Sequence, residues 1–153
     1  MKVERLDEPT LGFLMNGGWA PGRTVPDLVS EWEKSFFPAQ GFMLTSPARE
    51  ALLTLGGLAF HQAGVGERVA RRSFRFDPTV AVGELDRFRE FEVALGVTLS
   101  PVGNAEDGDM YLAVAEDGRV VCLMDDAWVI GDCIEGALSS LVSGRGGQVV
   151  HAS

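Results

Sequence analysis

Apolar side chains recur at helical spacing through much of the chain. Leu28, Trp32 and Phe36 lie at intervals of four, while Glu33 and Lys34 fall between them. This spacing places the apolar side chains on one face of a helix and the charged ones on the other. The same spacing of apolar residues predicts helices over residues 9–16, 26–38, 46–55, 82–95 and 133–142.

Other segments alternate between apolar and polar residues, as half-buried strands do. Phe74 and Phe76 show this alternation, and Asp117-Gly118 separates two apolar runs as a strong hairpin turn. We predict strands over residues 58–61, 73–76, 97–102, 110–115, 119–124 and 128–130, with a loosely ordered tail after Ser143. The element order predicts an α+β fold, with helices packed against a mostly antiparallel sheet.

A short loop between the first two predicted helices has an unusual composition. It reads Gly17-Gly18-Trp19-Ala20-Pro21-Gly22-Arg23. A glycine after a helix can adopt the left-handed conformation that ends it, and Pro21-Gly22 suits a type II turn. We expect Trp19 to be buried as a plug in the core. Arg23 is expected at the edge of this plug, as an ion-pairing partner rather than a catalytic residue.

Length and composition place the chain among soluble globular domains. Its 153 residues suit a single domain over residues 1–153, with a core over about 9–144. No apolar run is long enough to span a membrane, and the charged N-terminus does not resemble a signal peptide. The two cysteines, Cys122 and Cys133, are expected to be reduced thiols, which suggests a cytoplasmic protein.

The negative charge is concentrated in one segment. The net charge is −9, and residues 104–135 contain nine acidic residues against Arg119 alone. Such a charge repels nucleic acid and favours a basic partner, although acidic hairpin turns can also serve solubility alone. Arg68, Arg71, Arg72 and Arg75 form a basic cluster, which we interpret as a solvated edge strand rather than a nucleic-acid site.

The sequence contains no clear catalytic or metal-binding motif. His61 and His151 lie far apart along the chain. A zinc site of Cys122, Cys133 and His61 matches no usual ligand spacing. Residues 104–109 offer oxygen ligands without the pattern of a calcium loop, and no glycine-rich phosphate loop is present. We therefore expect neither an enzyme nor a bound cofactor.

Several short motifs together resemble a known family. They are Gly18-Trp19-Ala20-Pro21-Gly22-Arg23, Leu55-Gly56-Gly57-Leu58, Phe76-Asp77-Pro78, Pro101-Val102-Gly103 and Asp117-Gly118-Arg119-Val120. Their order and spacing over about residues 12–144 resemble the third group of the SUKH superfamily of bacterial immunity proteins. Leu55 departs from the family pattern, which usually has an aromatic residue there.

The resemblance implies a SUKH-like fold without catalysis and a role as the antidote in a polymorphic toxin system. The partner would be a cognate toxin domain, often a nuclease or a nucleic-acid deaminase. The shared residues of the family are expected to be structural: Gly18, Trp19, Pro21, Gly22, Arg23, Gly56, Gly57, Pro78, Pro101 and Gly103.

The toxin contacts are expected elsewhere, in exposed acidic loops that a rigid sheet presents. The candidates are Glu106, Asp107, Asp109, Asp125 and Asp126. Two alternatives stay open at this point. One is a small enzyme or ligand-binding domain with a pocket near Arg23 or His61, and the other is a regulatory scaffold without catalysis.

Overall fold

An antiparallel sheet forms the centre of the molecule. The computed structural model describes residues 1–105, 108 and 110–152. In this part of the chain the strands are β1 (Ala59–Phe60), β2 (Phe74–Arg75), β3 (Leu99–Ala105), β4 (Met110–Ala115), β5 (Val120–Leu123), β6 (Ala127–Gly131) and β7 (Gln148–His151). The helices are α1 (Glu8–Asn16), α2 (Pro26–Glu31), α3 (Phe37–Gln40), α4 (Ser46–Leu55), α5 (Leu85–Leu95) and α6 (Ile134–Ser143). The α+β prediction is confirmed.

The strands follow one another in space as they do in sequence. Each of β1 to β7 pairs with the next, and every pair is antiparallel. Successive connections in such a meander leave from opposite ends of the sheet. One end, which we call the upper end, carries the connections 61–73, 106–109 and 124–126. The lower end carries the turn 116–119 and the start of α6.

The two faces of the sheet are covered by different helices. Leu112 and Cys122 pair across β4 and β5 and lie on the face that α4 and α6 cover. Tyr111 points to the other face, where its ring centroid lies 6.0 Å from that of Phe88 in α5. The core therefore has two layers, one on each side of the sheet.

Residues 26–40 form one continuous helix that contains a π-helical segment. This segment, Trp32–Phe36, joins α2 to α3. A π turn holds one more residue than an α turn and so rotates the helix beyond it. Phe37 consequently takes the buried position, and Phe36 is only half-buried. Phe36 nevertheless packs against the core, as the predicted inner face requires. Pro38 lies within α3 rather than ending the helix, which ends at Gly41.

Three further predictions were wrong at the sheet. The strand predicted to end near Pro101 continues to Ala105, because a register shift between Pro101 and Gly103 accommodates the proline. The tail is not loose, since β7 pairs with β6. The basic cluster does not lie on an edge strand. Its only strand residue, Arg75, belongs to β2, between β1 and β3.

Among the described residues, no helix combines the length and apolar character needed to cross a bilayer.

Candidate protein-binding surface

The loop between α1 and α2 closes as predicted. Gly18 has a φ of +104° and Gly22 a φ of +85°, a backbone conformation that favours glycine. The Trp19 amide donates to the Leu14 carbonyl (3.0 Å), and the Arg23 amide donates to the Ala20 carbonyl (3.0 Å). Trp19 is only 3% exposed. The prediction that Trp19 plugs the core is confirmed.

Arg23 binds the end of α4 through its guanidinium. Its Nη1 donates to the Thr54 carbonyl (2.8 Å) and its Nη2 to the Gly56 carbonyl (2.9 Å). The carbonyls at a helix C-terminus lack partners within the helix and carry partial negative charge. Within the described residues, Arg23 therefore caps the C-terminus of α4 with its positive charge, in place of the expected ion pair. Burial lowers the pKa of Arg23, but a guanidinium remains charged at neutral pH.

The other residues of the family motifs lie where two chain segments approach closely. A Cβ on Gly56 would lie 2.9 Å from the Trp32 ring, and one on Gly103 would overlap the Arg75 carbonyl. The Gly57 amide donates to the Phe76 carbonyl (2.8 Å). Pro78 and Pro101 are buried. Pro21 is exposed in the turn before Arg23.

The turn between β5 and β6 presents an acidic side chain at the upper end. The Met124 amide donates to the Asp126 carbonyl (3.0 Å). From α5, Arg87 Nη2 donates to the Met124 carbonyl (2.6 Å) and lies 3.7 Å from Asp125 Oδ1. The Asp125 side chain is nevertheless 91% exposed. Asp126 is half-buried and engaged in an interaction of its own, so Asp125 is the more accessible of the two.

The remaining predicted contacts, Glu106, Asp107 and Asp109, lie outside the described residues. The residues that flank their segment, Ala105 and Met110, pair directly across β3 and β4. The segment 106–109 therefore connects two strand ends at the upper end, the same end as Asp125 and Asp126.

The acidic segment 104–135 is not one patch in space. Asp117 belongs to the turn at the lower end, where it pairs with Arg119 (2.9 Å). Asp132 lies beside that turn, since a Cβ on Gly118 would be 3.9 Å from its carbonyl. Glu135 is only 4% exposed and accepts a hydrogen bond from the Lys2 amide (2.7 Å). Burial raises the pKa of Glu135, but backbone hydrogen bonds, first that from Lys2, outweigh it and hold this pKa below its usual value.

A cavity of about 380 Å³ opens beside the acidic turn. It lies on the α6 face of the sheet, and segment 69–72 forms one wall. Its apolar lining comes mainly from strand ends and from α6: Met110, Cys122, Met124, Trp128, Ile130 and Leu141. The sequence analysis did not predict this cavity. One signal for it was present, because Met110 and Met124 are apolar residues directly beside acidic residues in the sequence.

The alternative chemical sites gain no support from the geometry. Neither Arg23 nor His61 lines this cavity, and His61 is exposed just after β1. Burial raises the pKa of Cys122 to about 12, with Arg72 acting in the opposite direction, so the thiol stays protonated at neutral pH. In the part of the chain that the structure describes, no three His, Cys, Asp or Glu side chains converge to hold a metal ion.

Comparison with known proteins agrees with the motifs. The sequence matches the family described as SUKH-3 immunity protein over residues 6–144. No curated protein and no solved structure matches the chain. An immunity protein acts by binding its cognate toxin and not by catalysis, so the chain is not an enzyme. Because the match covers nearly the whole sequence, including every motif residue, this chain belongs to the SUKH-3 immunity protein family.

Proposed function

We propose that this protein neutralises a basic toxin domain, one that acts on nucleic acid, by binding it in the cytoplasm through the upper end of the sheet. The contacts would come from five acidic residues in two connections: Glu106, Asp107, Asp109, Asp125 and Asp126. A nuclease or a nucleic-acid deaminase is the expected class of toxin.

The observation that carries the proposal is the shared position of the two connections. Ala105 pairs with Met110, and Leu123 pairs with Ala127. Both connections therefore start and end at the upper end of the sheet. Asp125 and Asp126 lie in a short connection on a rigid antiparallel scaffold, which is the arrangement that suits a binding loop, and Glu106, Asp107 and Asp109 belong by sequence to the other connection.

The electrostatics favour a basic partner. The protein carries a net charge of −9, and the exposed Asp125 needs no rearrangement to meet a cation. A toxin that grips nucleic acid does so with lysines and arginines that contact phosphates. Carboxylates on the inhibitor can occupy the same cations and exclude the nucleic acid, while opposite charges accelerate the encounter.

A co-expression experiment tests this function. The partner is the C-terminal toxin domain encoded beside this protein, expressed in bacteria with the protein or with an empty vector. We expect growth to be restored only by the protein, a complex to co-purify, and the purified toxin domain to degrade or deaminate nucleic acid unless this protein is added.

Two results would contradict the proposal. Absence of both rescue and complex would show that the toxin is not bound. Rescue from a toxin domain that is acidic, or that has no activity on nucleic acid, would contradict the class of partner while leaving the immunity function intact.

A further inference from the structure

We propose that the 380 Å³ cavity on the α6 face of the sheet binds a small amphipathic carboxylate, with its hydrocarbon chain against the strand ends and its carboxylate at Arg72. A medium-chain fatty acid has this chemistry. The inference goes beyond the proposed function, because the occupant is a small molecule and not the toxin, and its test needs no toxin.

The inner lining of the cavity suits a hydrocarbon chain. Met110, Met124, Trp128 and Leu141 line it and are half-buried, so a guest that fills the space removes more of their apolar surface from water. Methionine side chains adapt to the shape of such a guest. The volume lies at the lower end of the range of about 300–1,000 Å³ typical of ligand pockets, which indicates a small ligand.

The wall of the cavity opposite the sheet is fixed by hydrogen bonds. Gln62 Nε2 donates both to the Arg72 carbonyl (3.0 Å) and to the Leu141 carbonyl (2.8 Å), which ties this wall to α6. The Val69 amide donates to the Gly144 carbonyl (2.9 Å) at the end of the same helix. A pocket that is formed in advance binds without the cost of ordering it first.

The charged residues at this wall are arginines. Arg72 lines the cavity. Burial raises the pKa of Cys122, another lining residue, and the positive charge of Arg72 acts in the opposite direction, so this charge reaches the cavity. Arg71 packs beside it, since a Cβ on Gly144 would lie 3.4 Å from Arg71 Cγ. Arg72 also takes part in an interaction within the protein, but a guanidinium has five donors and binds a carboxylate through two parallel hydrogen bonds.

The carboxylates described near the cavity are directed elsewhere. In the part of the chain that the structure describes, no acidic residue lines it. Asp125 follows Met124 but contacts Arg87 of α5, on the other face of the sheet. Glu67 pairs with Arg145 (3.0 Å). At physiological salt, exposed charges beyond about 8 Å are largely screened, so the arginines of the wall favour a carboxylate over an ammonium group.

Three ligands with the same eight-carbon chain test the inference: octanoate, octanol and octylammonium. Calorimetry should show octanoate binding about tenfold more tightly than octanol, because its carboxylate adds charge-assisted hydrogen bonds, and octylammonium binding most weakly. Each methylene added between hexanoate and octanoate should raise the affinity about fourfold. Octanoate should also change the emission of Trp128, and this change should be absent in Trp128→Phe. Neither of the other tryptophans, Trp19 and Trp32, lines the cavity.

A matched pair of variants tests the role assigned to Arg72. Arg72→Gln should weaken the binding of octanoate about tenfold and leave the binding of octanol unchanged. Arg68→Gln makes the same substitution in the same connection, at an exposed residue that does not line the cavity, and should bind octanoate as the wild type does. Melting temperatures establish that both variants are folded. If Arg72→Gln does not fold, the preference of the wild-type protein for octanoate over octanol decides.

Two results would overturn the inference. If octanoate gives neither heat of binding nor a change in the Trp128 emission, the cavity does not take this class of ligand. If octanol binds as tightly as octanoate, or if folded Arg72→Gln matches Arg68→Gln, the carboxylate is not held by Arg72. Either result leaves the proposed function untouched, and a failure to bind the toxin domain leaves this inference untouched.

Discussion

The loop 17–23 and the upper end of the sheet use charge in different ways. In the loop, the guanidinium of Arg23 faces inward and donates hydrogen bonds to the carbonyls of Thr54 and Gly56. At the upper end, the Asp125 side chain is 91% exposed, and its Oδ1 lies 3.7 Å from Arg87 Nη2. The first charge has its partner within the fold, and the second is available for a partner outside it.

Under the proposed function, the residues that define the family and the residues that bind the toxin lie in different parts of the molecule. Of the motif residues, Gly56 and Gly103 lie at close approaches of the chain, where an added Cβ changes packing, and Gly18 and Gly22 have a positive φ. The acidic residues of the upper end follow strand ends, where substitution leaves the core untouched. Changes in the first region should alter stability without altering the intrinsic affinity for the toxin, and changes in the second should do the reverse.

The largest effect on stability is expected at Gly103. A Cβ there would overlap the Arg75 carbonyl, so Gly103→Ala must separate β2 from β3. We expect the free energy of unfolding to fall by about 3 kcal/mol or more, measured by urea denaturation. Gly12 provides the control, because it lies in α1 with no atom near its added Cβ. Gly12→Ala should stabilise the protein by about 0.5–1 kcal/mol. A Gly103→Ala protein of wild-type stability would contradict the packing described for the motif.

The next effect concerns Arg23. Arg23→Ala removes both donors from the end of α4 and should lower the free energy of unfolding by about 2 kcal/mol, since hydrogen bonds from charged donors are stronger than neutral ones. Arg23→Lys replaces the guanidinium, which donates to both carbonyls, with a single ammonium group. It should therefore recover only part of the lost free energy of unfolding. The affinity of the folded Arg23→Ala protein for the toxin domain should match the wild type. A lost affinity at unchanged stability would instead place Arg23 in the binding surface.

A smaller effect, dependent on pH, is expected at the N-terminus. Asp7 caps α1, and its Oδ2 accepts a hydrogen bond from Ser139 in α6 (2.6 Å). This bond, more than the opposing effect of burial, lowers the pKa of Asp7 below its ordinary value of 3.8. A lowered folded-state pKa contributes stability above the unfolded-state value, and this contribution is lost as the pH falls through the folded-state value.

Asp7→Asn isolates this charge, because asparagine also caps helices well. At pH 7 the variant should be less stable by about 1 kcal/mol, and below pH 4 its difference from the wild type should shrink toward zero. Urea unfolding at pH 7 and pH 2.5 measures both values. The exposed Asp27→Asn serves as the control and should show a smaller difference. A difference that stays constant with pH would show that the Asp7 charge is not involved.

Much of the fold was predictable because local chemistry decides it. The Asp117-Gly118 hairpin, the end of α6 at Gly144 and the burial of Trp19 all follow from the preferences of single residues or short patterns. The π-helical segment and the passage of β3 through Pro101 do not. The first precedes Pro38, which is exposed and has no amide to donate within the helix, and the second needs a register shift against β4. The periodicity of one segment contains neither.

The candidate site was predictable only in part. The sequence located the acidic segment 104–135, but it did not show which of its residues lie at the same end of the sheet. A meander sends consecutive turns to opposite ends of the sheet, so Asp117 and Asp125 are separated even though they are close in sequence. The cavity at Trp128 could not be predicted from the sequence, because one of its walls comes from segment 69–72, which is distant along the chain.

This separation of the acidic residues gives the most direct test of the central claim, that the upper end binds the toxin. Two variants each remove three negative charges from the net −9. One carries Asp107→Asn, Asp109→Asn and Asp125→Asn, and the other carries Glu116→Gln, Asp117→Asn and Asp132→Asn at the lower end. The measurement is the association rate constant with the toxin domain as a function of salt concentration.

We expect the upper-end variant to associate about tenfold more slowly at low salt and with a shallower salt dependence, because local charge steers the encounter. The lower-end variant should stay within about twofold of the wild type. Equal effects of the two variants would show that only net charge matters, and a larger effect of the lower-end variant would place the toxin at the opposite end of the sheet.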